Sequence, residues 1–164
     1  MRTLNPVRSG DATTQRGVAA VEFALVLIFL LLVVAGIIEF GRAFWYLDAM
    51  TRATRDGARY LSSVQANQIG SVGVPTAQAL VVSEANASWL SPPLTTGQVS
   101  VTCNPGSCQD VTAGSGVKPV YVTVAITGYA ITVGGMIPFF SPAYNGSASY
   151  TGVLAPSTTM RYME

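Results

Sequence analysis

Gly17-Val18-Ala19-Ala20-Val21-Glu22-Phe23-Ala24-Leu25-Val26-Leu27 opens the stretch whose reading decides the fold: it runs apolar to Ile38 and then turns amphipathic as far as about Tyr60. Residues 18–38 are 21 positions with a single charge, Glu22. At 1.5 Å per residue they cover about 30 Å, the thickness of a hydrocarbon core, so the stretch reads as a membrane-spanning helix. A charge at the centre of such a helix costs roughly 2.5–3.5 kcal/mol, and less near its end, so this carboxylate calls for a functional explanation. The plain alternative is that Glu22 snorkels to the inner interface.

The chain of 164 residues has room for one domain plus an anchor. Hydrophobic residues make up 49% and charged residues 10%, which points to a membrane or polymer-associated protein. A net charge of +1 argues against a nucleic-acid partner, and the lack of histidine removes the commonest general base and metal ligand. No cofactor or metal site is expected. An enzyme built on Asp110, Glu84 or a serine has no paired motif behind it. Residues 1–17 carry Arg2, Arg8 and Arg16 against Asp11, with Pro6 and Gly10, and read as a cytoplasmic leader without regular structure. The positive-inside rule then places the N-terminus in the cytoplasm, although Arg42, Arg52, Arg55 and Arg59 weaken the contrast. A secretory signal peptide is the rival, but its cleavage motif, Val33-Val34-Ala35, is followed by more apolar sequence.

Outward from the span, Phe40, Phe44, Leu47, Thr51, Thr54, Ala58 and Leu61 recur at spacings of three and four, so the helix continues over residues 39–63 as a stalk. Phe40, Phe44, Trp45 and Tyr46 form an interfacial aromatic belt. Asp48, Arg52 and Asp56 alternate in charge along one face, next to Arg55 and Arg59. Two readings stand for the run Arg55-Asp56-Gly57-Ala58-Arg59: a solvated face, or a docking face toward the outer domain or another subunit. Residues 62–75 read as a polar connector, and a second helix follows from Pro75-Thr76 to the stop at Ser91-Pro92-Pro93, packed on a sheet. Asn86-Ala87-Ser88 and Asn145-Gly146-Ser147 match the glycosylation acceptor pattern by chance.

Strand alternation appears at 99–103, at 120–126 and again in 147–162, the last as an edge strand. The strand over 119–131 is the longest and richest in β-branched residues, and so the central one. Cys103 and Cys108 bracket Asn104-Pro105-Gly106-Ser107, whose Pro-Gly turn brings the two ends together. Outside the cytoplasm a disulfide is expected there, pinning a hairpin of 98–102 with 109–112; free thiols are the alternative. Closing so short a loop stabilises by about 2 kcal/mol from chain entropy. A loop follows at 114–116. The apolar but Gly- and Pro-broken run over 131–142 is too irregular to span and reads as a loop over the sheet, with a membrane- or partner-facing patch as the other reading. The fold class is therefore α+β: a long N-terminal helix, then residues 64–164 as a small antiparallel-sheet domain with one short helix.

The run Gly17-Val18-Ala19-Ala20-Val21-Glu22-Phe23 resembles the type IV prepilin processing pattern, in which a dedicated peptidase cuts after the glycine and a glutamate stands fifth in the mature chain. Counted from Val18, Glu22 is fifth. With Ile38-Glu39-Phe40-Gly41-Arg42-Ala43, with Ala53-Thr54-Arg55-Asp56-Gly57-Ala58-Arg59-Tyr60, and more loosely with Thr159-Met160-Arg161-Tyr162, the chain is similar to the TadE-like family. Those are minor pilins, or pseudopilins, of the bacterial tight-adherence (Flp) pilus system. The resemblance implies cleavage between Gly17 and Val18 by an aspartate-type prepilin peptidase, so the protein is a substrate and not an enzyme. It implies that Glu22 pairs with the new amine of a neighbouring subunit, setting register in assembly. Its implied partners are the lipid bilayer, that peptidase, other pilin or pseudopilin subunits and the pilus assembly machinery. Its implied place is the bacterial inner membrane, with the C-terminal domain outside the cytoplasm. An uncleaved single-span protein whose outer domain is a binding module is the competing class.

Overall fold

The structure, a computed structural model, describes residues 12–111, 118–134 and 150–163, with side chains from Gly17 onward. It has the α+β layout read from the sequence. Helix α1 (Ala12–Ser62) is followed by a 3-10 turn (Ala66–Gln68), a π-helical turn (Ile69–Gly73) and helix α2 (Val74–Asn86). Strands β1 (Val99–Asn104), β2 (Tyr121–Ile126), β3 (Tyr129–Val133), β4 (Tyr150–Leu154) and β5 (Ser157–Arg161) complete it. All pairings are antiparallel: β1-β2-β5 form one sheet with β2 in the centre, and β3-β4 form a second.

Helix α1 is one unbroken helix with two surroundings. From Val18 to Val34 every side chain is exposed, and nearly all of them are apolar. This part is long and apolar enough to cross a membrane. The outer part carries a buried stripe, Ala35, Glu39, Tyr46, Met50, Ala53, Thr54, Ala58, Leu61 and Ser62, at the three- and four-residue spacing of a single helix face. That stripe starts on a different face from the one read in the sequence. Phe40 and Phe44 point outward, while the smaller Ala53, Gly57 and Ala58 let the domain come close.

The core is the space between α1, α2 and the first sheet. Val122, Val124 and Ile126 of β2 point into it, as do Ala77, Val81 and Ala85 of α2 and Met50 and Leu61 of α1. Each Val- or Leu-sized side chain so buried contributes about 1.5–3 kcal/mol. Helix α2 packs mainly along α1 and also against β1, where Gln78 Nε2 donates to the Val99 carbonyl at 2.8 Å. Gly57 makes the helix–helix approach possible, because a Cβ there would sit 2.6 Å from Val81 Cγ2.

Several expectations need correction. The helix already begins at Ala12, inside the stretch read as an irregular leader; residues 1–11 lie outside the described residues. The connector is helical and packed: Ile69 is fully buried, and a Cβ on Gly70 would meet the Cys108 carbonyl oxygen at 2.6 Å. β1 pairs with β2, Val99 opposite Ile126 and Asn104 opposite Tyr121, and not with residues 109–111, where Ser107 to Asp110 turn instead; Thr112 lies outside the described residues. The strand read over 119–131 is broken at Thr127-Gly128, where Gly128 takes φ +69° and sends β3 into the second sheet. Tyr46 is buried and leaves the aromatic belt. The loop at 114–116, residues 135–142 of the apolar run, and Asn145 lie outside the described residues.

Gly57→Leu should lower the stability of the detergent-solubilised protein by about 1–3 kcal/mol through overpacking against Val81. Adding Val81→Ala should restore part of that loss, read as a shift of the denaturation midpoint.

Candidate functional site

Helix α1 carries three places of interest. The first is the inner end of α1. The helix runs through the Gly17–Val18 peptide, and space is open around Gly17. Glu22 is exposed one helical turn beyond Val18, on the same face. A peptidase acting there has to unwind this turn, and glycine is the cheapest place to do so, since it costs a helix about 1 kcal/mol relative to alanine.

The second place is the junction where α1 leaves its exposed apolar half, where the sequence offered Glu39 and Arg42 only as part of a motif and not as a pair. Glu39 is only 1% accessible, and its Oε2 accepts a 2.9 Å ion-paired hydrogen bond from Arg42 Nη2. The same guanidinium donates to the Thr132 carbonyl of β3 at 2.6 Å and lies 5.8 Å from the centre of the Tyr46 ring. Tyr46 donates its hydroxyl to the Trp89 carbonyl, and Trp45 Nε1 donates to the Ser88 carbonyl, both at 3.3 Å. Tyr129 closes the cluster from β3: its hydroxyl reaches the Pro92 carbonyl at 2.8 Å, and burial, with Tyr46 nearby and Arg42 opposing, pushes its phenol up to about 12. α1 is thus clamped at one level to the end of α2 and to β3. A spacing of three between Glu39 and Arg42 was visible in the sequence, but their partner Thr132 is 90 residues away.

The third place is the run from Arg55 to Arg59. Gly57 is buried against α2 and the sheet and Ala58 beside it is also buried, whereas Arg55, Asp56 and Arg59 are exposed. Gly57 therefore meets the chain's own domain, and the charges remain on the outside. Asp48 and Arg52 form an exposed 2.6 Å ion pair on the same side of the chain's outer half. Across the helix pair, partial burial and then the Asp56 carboxylate raise Glu84 above the usual carboxyl range.

Cys103 and Cys108 are joined in a disulfide with a Cα–Cα distance of 5.0 Å, and both are buried. The bond staples the end of β1 to the turn on which the π-helical segment rests. Asn86 uses its amide to hold Leu94, donating from Nδ2 to the Leu94 carbonyl at 3.0 Å and accepting from the Leu94 N–H at 2.8 Å. Among the described residues no three His, Cys, Asp or Glu side chains converge as a metal site would need.

Residues 17–59, which span the Gly17–Val18 junction, the apolar half of α1 and most of its outer half, match the family model of TadE-like proteins. No curated protein and no solved structure matches the chain.

Arg42→Leu takes the guanidinium from a buried carboxylate and should cost about 3 kcal/mol, the low end for a buried pair, because Arg42 keeps 22% of its side chain in solvent. The double variant Glu39→Leu/Arg42→Leu should recover most of that loss in chemical denaturation. For Glu84 the sign follows from its raised pKa: the folded chain holds this proton more tightly than the unfolded chain, so the ionised form opposes folding at neutral pH. Glu84→Gln should raise the Tm by about 1–3 °C at pH 7, and the gain should vanish as pH falls below the carboxyl range.

Proposed function

We propose, taking the TadE-like match over residues 17–59 as premise, that the protein is a prepilin-peptidase-processed minor pilin or pseudopilin acting in assembly of a tight-adherence (Flp) pilus. The observation that carries this reading is the match itself, which begins at Gly17 and includes Glu22. In this reading residues 18–38 cross the inner membrane, the Arg-bearing N-terminal end faces the cytoplasm, and the domain stands outside. The disulfide agrees with an oxidising compartment.

Cleavage after Gly17 would leave a new α-amine on Val18, one turn from Glu22 along the same helix face. Two charges of opposite sign at the exposed end of an apolar helix favour close packing with an identical end of a neighbouring subunit. Such a pair sets register more than it adds stability, because desolvation offsets much of the attraction. The arginines at 55 and 59 and Asp56, all exposed on the stalk, are the side chains proposed to meet other subunits or the assembly machinery. The role is structural: substrate of the peptidase, then building part.

N-terminal sequencing of membrane-extracted protein, from cells with and without the prepilin peptidase, tests the reading. With the peptidase the chain should begin at Val18, and without it the leader should remain. A chain that keeps its leader in the presence of the peptidase would instead be an uncleaved single-span protein whose outer domain is a binding module. Glu22→Ala should leave the protein in the membrane and abolish its assembly.

A further inference from the structure

Three separate elements place an exposed aromatic side chain at the same end of the outer domain. Phe44 and Trp45 lie on α1, at 68% and 62% exposure; Trp89 follows α2 at 90%; Tyr150 opens β4 at 75%. The hydrogen bonds described above fix their level. Trp45 and Tyr46 reach the carbonyls of Ser88 and Trp89, so Trp89 sits beside Trp45. Arg42 reaches Thr132, and Tyr150 pairs with the next residue, Val133, so Tyr150 sits near Arg42.

That level has a physical meaning. On residues 18–38 a hydrocarbon layer of about 30 Å, at 1.5 Å per residue, ends at Ile38. Glu39 and Arg42, the charges closest to that end, are turned into the domain and paired, so they do not oppose burial in lipid. The exposed aromatic side chains of α1 run from Phe40, about 3 Å beyond that edge, to Trp45, about 10 Å beyond it, across the headgroup layer. Tyrosine and tryptophan are the side chains enriched at this depth.

Trp89 adds an independent sign. It takes φ +58°, just past the end of α2, where glycine or asparagine is the usual choice and a bulky side chain costs about 1–2 kcal/mol. Hydrogen bonds from Tyr46 and to Asn86 hold the Trp89 backbone, but the indole is almost wholly exposed, so the side chain itself gains little packing among the described residues.

We infer that the outer domain rests on the membrane surface, with Trp89 and Tyr150 completing, from α2 and β4, an aromatic collar begun by Phe44 and Trp45 and immersed in the lipid headgroup layer. The occupant is lipid because the rim is continuous with the exposed apolar half of α1. This inference rests on the reading that residues 18–38 cross the membrane. It fixes the posture of the domain: the subunit lies down on the bilayer, and its collar has to be lifted out of the headgroups before the subunit can leave the membrane.

The test uses the full chain in vesicles of phosphatidylcholine and phosphatidylglycerol brominated at chosen depths of the acyl chain. Trp45→Phe leaves Trp89 as the sole tryptophan. Bromines near the headgroup should remove most of the Trp89 emission, bromines near the chain end should remove less, and aqueous iodide should have little effect. The unmutated protein should behave the same way, so a folding defect in the variant cannot produce the result. Quenching by iodide alone overturns the inference, and so does shielding from both quenchers, which would mean that a protein surface covers Trp89. A third chain, Trp45→Phe/Trp89→Phe/Phe29→Trp, reports on the span. If that reporter is quenched by deep bromines while Trp89 is not, the collar fails alone; if neither is quenched by lipid, the membrane-crossing reading fails with it.

Discussion

One helix has to satisfy two solvents, and the rest of the structure depends on how it does so. From Val18 to Val34 the side chains of α1 face outward on every side, as only lipid or another apolar surface would favour; from Tyr46 a single stripe of the same helix becomes the wall of a packed core. The domain is therefore built onto the helix and not tethered to it. Met50, Ala53, Ala58 and Leu61 are core residues of the domain as much as Val81 or Val124 are. Without them the sheet and α2 would expose the apolar faces that hold them together.

The transition is managed by charge and size. Glu39 and Arg42 stand where the lipid-facing half ends, and a charge there would be costly on either side of the border. Pairing the two, and giving the guanidinium a carbonyl of β3 and the Tyr46 ring, turns that liability into the clamp that sets the domain's level on the helix. Further out the helix narrows at Ala53, Gly57 and Ala58, so α2 packs closely along it. Together these features make a rigid unit in which the position of the helix in a membrane dictates the position of the domain. In a pilus component, the domain surface offered to other subunits would then be set by how far the helix has moved out of the bilayer.

What was legible in the sequence is what is local. The apolar run, the Gly17-to-Glu22 pattern, the central β-branched strand and the short cysteine loop all declare themselves within a dozen residues, whereas α2 ends at Asn86, short of the prolines that the sequence offered as its stop. What was not legible depends on distant partners. The alternating residues 98–102 suggested a hairpin with their nearest neighbours, but Val99 and Val101 pair with β2, beyond the disulfide turn and the segment that follows it. The connector looked polar because Ser, Gln and Asn dominate it, yet Ile69 and the glycines at 70 and 73 are what the fold uses. Tyr46 shares the composition of an aromatic belt and faces the opposite way, since only the set of buried neighbours decides which side of a helix is inside. Trp89 looked like part of a helix end; its exposure and positive φ emerge only from the coordinates.

Amide hydrogen exchange of the full chain in lipid nanodiscs tests most directly whether the helix and the domain are one unit. Slow exchange should run without a break from the apolar half of α1 through residues 39–62, and α2 and β2 should open together with that outer half. A fast-exchanging break between Ile38 and Tyr46, with α2 and the sheet still protected, would contradict it and make the domain an independent body on a flexible tether.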